Sequence, residues 1–202
     1  MRTITIFEHM SLDGVIQAPG GKTEDGDYAH GGWSAVFKDP VVGEAIMAAH
    51  SKPFDLLLGR RTYDIWAGYW PTAKGAFAET FNKATKFVAT HRAESLKWGP
   101  VENLGADVVK GLERLKNTDG PNLILWGSSK LTPVLIEHQL ADEIVLITYP
   151  VLLGTGKKLF SEGSAARELG LVRSKAGESG VVVNTYKPVG KLRTGSFGDP
   201  PK

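Results

Sequence analysis

Three stretches of this chain set a small or hydroxyl residue beside cations or serines where an apolar, strand-like run gives way to a helical pattern. They are Leu56-Leu57-Leu58-Gly59-Arg60-Arg61-Thr62, Lys86-Phe87-Val88-Ala89-Thr90-His91-Arg92 and Leu123-Ile124-Leu125-Trp126-Gly127-Ser128-Ser129. A helix start leaves backbone N–H groups without intrahelical partners and carries partial positive charge, so such a junction suits an anion. In Gly127-Ser128-Ser129-Lys130-Leu131 the glycine lets a phosphate approach the backbone, and the hydroxyls can cap the helix or bond the anion. In Gly59-Arg60-Arg61-Thr62 and Thr90-His91-Arg92, guanidinium, imidazole and hydroxyl donors gather where a strand ends, the place at which open α/β sheets bind ligands. Each charge-assisted bond to a phosphate there is worth about 1.5–3 kcal/mol. Taken singly, every one of these junctions is equally an ordinary loop with solvated charges. Their repetition points to a phosphate-rich ligand.

Other candidates say less. Asp13, in Ser11-Leu12-Asp13-Gly14, reads first as a turn residue and second as a carboxylate facing a ligand laid across the sheet. Glu44 and Trp33, with Trp66 and Trp70, could line a pocket for a flat heterocycle, or could be surface charge and core. Gly154-Thr155-Gly156-Lys157-Lys158 resembles part of a phosphate loop but lacks the full spacing and the hydroxyl residue after its lysine, so a turn is expected. The five histidines, His9, His30, His50, His91 and His138, show no paired metal-ligand spacing, and no metal site is expected. No Gly-x-Ser-x-Gly elbow supports a serine hydrolase.

These residues must be positioned by one core. A chain of 202 residues, 42% of them hydrophobic, predicts a single domain over 1–190 with a flexible Gly/Pro-rich tail over 191–202. The absence of cysteine excludes thiol nucleophiles and disulfides. A net charge of +2, from 24 basic and 22 acidic residues spread along the chain, argues against a nucleic-acid partner. With no signal-like start and no apolar run of membrane length, the expected home is the cytoplasm, without membrane association.

Thr3 to Met10 alternates like a strand, and Gln17 to Asp39 is an irregular, glycine-rich stretch that reads as a lid. Asp39-Pro40 starts a helix that runs to about His50. Strands are predicted over Phe54–Leu58, Lys86–Thr90, Asn122–Trp126 and Glu143–Tyr149. Helices are predicted near Tyr63–Trp66, over Phe77–Lys83 and over Val108–Leu115, with another starting at Ser129 or Thr132. Such alternation implies right-handed crossovers and a mixed, mainly parallel central sheet flanked by helices. Gly170–Ser174 and Val181–Tyr186 read as an antiparallel C-terminal hairpin.

Ser11-Leu12-Asp13-Gly14-Val15-Ile16, Leu58-Gly59-Arg60-Arg61-Thr62-Tyr63, Gly127-Ser128-Ser129-Lys130-Leu131 and Leu140-Ala141-Asp142-Glu143, followed by Pro150 through Phe160, together resemble the reductase domain of riboflavin biosynthesis, in order and up to about Pro188. That family shares the dihydrofolate reductase fold. The resemblance implies an α/β, dihydrofolate reductase-like domain with NADPH across the parallel part of its sheet. Gly59, Arg60, Arg61 and Thr62 would hold phosphates. Thr90, His91 and Arg92 would take the adenosine 2′-phosphate, and Gly127, Ser128, Ser129, Lys130 and Leu131 the pyrophosphate. Asp13, Val15 and Ile16 would lie near the nicotinamide, with Asp13, or a water it holds, donating a proton.

The implied activity is hydride transfer to a C=N or C=O carbon of a small heterocyclic, pyrimidine- or pterin-like substrate, with Glu44 and Trp33 as candidate substrate contacts. The alternative is an NADPH-binding module without turnover. A homodimer through apolar edge strands near Val181 is a further expectation. The zinc deaminase domain of the bifunctional riboflavin enzymes is excluded, because its Pro-Cys-x-x-Cys element needs cysteine.

Overall fold

The computed structural model describes residues 1–160 and 164–198. The chain runs β1 (Ile4–Ser11), α1 (Pro40–Ala49), β2 (Phe54–Gly59), α2 (Arg60–Ala67), α3 (Ala76–Lys83), β3 (Lys86–Ala89), β4 (Val101–Asn103), α4 (Val108–Lys116), β5 (Asn122–Trp126), α5 (Leu131–Glu137), β6 (Glu143–Tyr149), β7 (Arg167–Ala176) and β8 (Val182–Lys191). The strands form one sheet in the order β4-β3-β2-β5-β1-β6-β8-β7. Every pair from β4 to β6 is parallel, while β8 lies antiparallel to both β6 and β7. This is the mixed, mainly parallel sheet with an antiparallel C-terminal hairpin that the alternation predicts.

The period-2 geometry of strands divides the apolar residues between two faces. Ile4, Ile6, Leu57, Leu123 and Leu125 pack with Leu112 and Leu115 of α4 and with Leu131 and Leu135 of α5. Phe7, Leu56, Leu58, Ile124 and Trp126 face the other way, against Val41 of α1, Tyr63 of α2 and Phe81 of α3. Strands β2 and β5, covered on both faces, are accordingly apolar at nearly every position. At the start of α1, Asp39 accepts the Val41 N–H at 3.0 Å and Pro40 takes the first helical position, as its sequence signature predicts. No helix of the described residues is long and apolar enough to cross a membrane.

Some boundaries differ from the sequence expectation. Strand β4 has only three residues, too few to show a period. The hairpin strands each run ten residues, because register shifts at Glu168/Leu169 and Leu171/Arg173 carry the pairing past Pro188. Helix α5 starts at Leu131, between the two predicted starts. Lys191 still belongs to β8, and Arg193 beyond it pairs with Glu168. Of the tail Gly195–Pro201, residues 199–201 lie outside the described residues. Val181 is fully buried, so the apolar edge falls instead on β7, where Leu171 and Val172 are 58% and 55% exposed.

Candidate active site

Because β3, β2, β5, β1 and β6 run parallel, their C-terminal ends share one rim, formed by Ala89, Gly59, Trp126, Ser11 and Tyr149. The three junctions singled out in the sequence open side by side along it, at β3, β2 and β5. Two of them interlock. Gly59, the residue before α2, has no side chain to cap the helix, and its N–H donates to Ser128 Oγ at 2.6 Å. A Cβ on Gly59 would stand 2.4 Å from that oxygen, and one on Gly127 would stand 2.6 Å from Thr62 Oγ1. Gly127 and Ser128 are both left-handed, at φ +64° and +70°. For a serine this costs about 1–3 kcal/mol unless the surroundings hold it, and its bond to Gly59 is such a hold.

The two adjacent arginines have separate employments. Arg60 donates through Nε to Asp64 at 2.8 Å, and through its terminal nitrogen to Ser95 Oγ at 2.6 Å and the Arg92 carbonyl at 3.1 Å. Its guanidinium therefore shapes the β3 opening from within. Arg61 reaches into the lid, where Asp25 takes both its guanidinium at 2.5 Å and Lys157 Nζ at 2.6 Å. Asp25 also accepts from Gln17 at 2.8 Å. The Lys157 and Arg61 cations outweigh the burial of Asp25 and hold its carboxyl below the usual range. Thr62 packs on Gly127.

At the β3 exit, buried Thr90 accepts the Arg92 N–H at 3.1 Å, and the His91 and Arg92 side chains extend into solvent. Neither makes an ion pair among the described residues. Beyond Ser128, Ser129 is half-buried and Lys130 exposed, whereas the Leu131 side chain enters the core and its N–H returns to the Ser128 carbonyl at 2.9 Å.

Asp13 accepts from Ser11 Oγ at 2.6 Å and from the N–H groups of Leu153 and Gly154 at 3.1 and 2.8 Å. These bonds, that of Ser11 foremost, bring its pKa down to about 2. At neutral pH the carboxylate carries no proton, so the geometry makes it a clamp between the end of β1 and the loop after β6 and lends no support to proton donation. Val15 and Ile16 are buried beneath that loop, Val15 bridging to Lys158. The chain bends over 154–156 and bridges to Val15 at Lys158, and this segment anchors the lid: Tyr28 donates to the Thr155 carbonyl at 2.7 Å.

Trp33 is a buried lid residue whose indole N–H donates to the Gln17 carbonyl at 2.8 Å and whose ring meets Tyr149 edge-on at 5.3 Å. Glu44 is exposed on α1, where it pairs with Lys175 of β7.

The sequence reading missed three residues at the ends of β1 and β6. His9 stacks on Trp126 at 5.7 Å and on Tyr149 at 5.6 Å, and its Nδ1 lies 2.6 Å from the Tyr149 hydroxyl. Burial lowers the His9 pKa to about 4 and raises that of Tyr149 to about 12. Glu8, on the opposite face, is buried with Oε1 unpartnered among the described residues, and burial raises its pKa well above the carboxylate range despite a bond from the Gly127 backbone. Only the alternation Phe7, His9 hinted that the imidazole shares the aromatic face. Among the described residues no group of three or more His, Asp or Glu could hold a metal.

Comparison with known proteins places this geometry. The family described as the RibD C-terminal domain matches residues 2–183. An uncharacterized protein, YyaP, of Bacillus subtilis strain 168 is 26% identical over 193 residues, covering 92% of this chain and 94% of its own. Among solved structures, a diaminohydroxyphosphoribosylaminopyrimidine deaminase/5-amino-6-(5-phosphoribosylamino)uracil reductase from Thermotoga maritima superposes with a TM-score of 0.60 at 15% identity, over 93% of this chain and 56% of the other. Dihydrofolate reductase from Enterococcus faecalis, complexed with NADP(H) and RAB-propyl, gives a TM-score of 0.57 at 13% identity, over 93% of this chain and 96% of the other. The fold is thus of the dihydrofolate reductase type.

Proposed function

The chain belongs to the RibD C-terminal domain family, and from that premise we propose that it is an NADPH-dependent reductase, delivering hydride to a C=N or C=O carbon of a small, pyrimidine- or pterin-like heterocycle. The observation that carries the reading is the single rim on which the three junctions stand side by side, two of them interlocked through Gly59 and Ser128. The start of α2 at one of these junctions has the unpaired backbone donors and partial positive charge that suit a pyrophosphate. The residues fit the cofactor: the Gly59–Thr62 and Gly127–Lys130 junctions would hold phosphates, and the exposed Arg92, without an ion pair among the described residues, would with His91 meet the 2′-phosphate. When bound, NADPH supplies the hydride. The protein's part is alignment and exclusion of water, the latter through Trp33 and the lid packed on Tyr149.

Titration with NADPH and NADH, followed by tryptophan quenching, tests the assignment. Arg92→Ala should weaken NADPH about tenfold or more and leave NADH nearly unchanged, since only the former has the extra phosphate. Equal losses would remove Arg92 from the site, and failure of both dinucleotides to bind would sink the reductase. A second reading, a dinucleotide-binding module without turnover, draws support from Asp13, which is ionised at neutral pH. Tight NADPH binding without oxidation across pterins, pyrimidines and imines would select it.

A further inference from the structure

We infer a second ligand site at the end of the sheet away from the rim: a cleft between α1 and the sheet that takes a small monoanion with a flat, apolar body. Strand register lays out its floor. Phe7, Val145, Thr185 and Arg173 stand abreast on β1, β6, β8 and β7, and Thr5 and Glu143 form the next row toward the strand starts. Residues abreast in a sheet present their side chains on one face, here the face that α1 covers. The roof is a helical stripe of Ala45, Ala48 and Ala49, at spacing i, i+3 and i+4. Methyl side chains leave the space beneath them unfilled, a cleft of about 530 Å³. Small-molecule sites typically measure about 300–1,000 Å³.

Interiors usually relax to close such a gap. Helix α1 does not settle onto the sheet because it is held along its length. At its start Asp39 accepts the Ser179 N–H at 2.9 Å and the Ser179 hydroxyl at 2.8 Å, and farther on Glu44 pairs with Lys175 of β7. At its end His50 lies against Phe54 and Phe81 at ring separations of 4.7 and 5.3 Å and accepts the Trp126 indole N–H at 3.3 Å. The cleft is thus held open by its own frame.

Its lining states the chemistry of the occupant. Thr185 is 5% exposed, and its hydroxyl has no partner among the described residues, a cost that a polar atom of a ligand relieves. At the mouth Lys52 and Arg173 are exposed, and neither they nor Glu143 makes an ion pair among the described residues. Two cations and one carboxylate leave a single net positive charge. One carboxylate on the ligand balances it, whereas a phosphate dianion brings a charge too many beside Glu143. Buried Phe7, Phe54 and Val145 supply the apolar surface for a flat body. None of these groups stands on the rim, so the site does not depend on a dinucleotide binding there.

The probes 2-naphthoate and 2-naphthamide share a shape and differ in charge. Each is titrated into the full chain, and backbone amide shifts in NMR locate the site and give the affinity. Shifts are expected at Thr5, Asn122 and Thr185 and not at Ser11 or Gly127. Naphthoate should bind about three- to tenfold more tightly than the amide, its charge-assisted contacts being weakened by the exposure of both cations. Lys52→Ala combined with Arg173→Ala should abolish that preference and leave naphthamide affinity unchanged. Ala48→Leu, at the exposed edge of the roof where added bulk does not strain the core, should weaken both probes. Shifts confined to the rim, equal affinity for the two probes in the unmutated protein, or no binding of naphthoate at millimolar concentration would overturn the inference. A dimer in sedimentation velocity that Arg173→Glu splits would overturn it as well, the cleft then being part of an interface between copies.

Discussion

A double-mutant cycle on Gly127 and Thr62 measures whether the two phosphate openings interlock. Gly127 sits at φ +64°, where an L-residue pays about 1–2 kcal/mol. An added Cβ would also stand 2.6 Å from Thr62 Oγ1 and 3.2 Å from Thr62 Cγ2. Relieving that approach means forcing the threonine from its rotamer or moving α2, which costs about 1–2 kcal/mol more. Gly127→Ala alone should thus destabilise by about 2–4 kcal/mol. In a Thr62→Ala background the two offending atoms are gone and the nearest remaining one, the residue's own Cβ, lies at 3.5 Å, an ordinary contact. There Gly127→Ala should cost only the backbone part, giving a coupling of about 1–2 kcal/mol. Urea titrations of the four proteins supply the numbers, with an unchanged m-value as the check on two-state behaviour. Additivity within about 0.5 kcal/mol would mean that the β5 loop and α2 do not abut, and the shared cradle would be lost with them.

His9 is neutral in the folded chain down to about pH 4 but takes up a proton near 6.5 when unfolded, so the stability it contributes is complete above 6.5 and declines as the pH falls toward 4. The loss at pH 5 should be about 2 kcal/mol, read as a drop in urea midpoint between pH 7.5 and 5 that His9→Phe reduces; an identical drop in the variant contradicts the burial of this imidazole. Arg60→Ala removes the contacts to Ser95 and the Arg92 carbonyl and should loosen the β3 exit, so that discrimination between NADPH and NADH falls although Arg60 touches no phosphate. Unaltered discrimination would show that Arg92 needs no such support. Asp25→Asn should speed amide exchange across the lid about tenfold, because the 4%-exposed carboxylate is tied to cations that are themselves 65% and 47% exposed and the ties are worth only about 1–2 kcal/mol. Exchange confined to the ends of the lid, with its centre unchanged, would locate the anchor elsewhere.

Much of the scaffold could be read from the chain because its strands differ sharply from their surroundings. Asn122–Trp126 and Glu143–Tyr149 are apolar runs bounded by turn residues, and both strands occupy those spans. The site was readable only as far as the backbone determines it. That Gly59, Thr90 and Gly127 stand at strand ends follows from local pattern, and their meeting on one rim follows from the parallel order. Side-chain partners were not readable in the same way. Arg60 and Arg61 are neighbours in sequence, yet one is consumed by Ser95 and the other by Asp25, residues whose proximity exists only in the fold. Glu44 has a helical period around it, but periodicity gives a helix an apolar face without saying which polar position borders the rim. His9 and Tyr149 are separated by 140 positions, and nothing local to either announces the other.

The lid gives the arginine pair its meaning. Arg61 and Lys157 converge on one carboxylate, and without Asp25 two cations would face each other at short range. On the proposed reading, a dinucleotide phosphate arriving there would not meet free cations; it would have to displace Asp25, whose own bonds to them are of the same charge-assisted kind. What Arg61 contributes to affinity is therefore a difference between two similar terms, small even if the final contact is good. Arg92 has no such competitor among the described residues and gives its full attraction to an incoming phosphate. Selectivity between the phosphorylated and unphosphorylated dinucleotide should then fall to Arg92, at the outer opening. Displacement of Asp25 instead transfers the binding event to the segment that also contains Pro19, Trp33 and Ser34. On the proposed reading, the exchange that seats a phosphate would act on a lid whose Trp33 rests edge-on against Tyr149, through a segment without helix or strand.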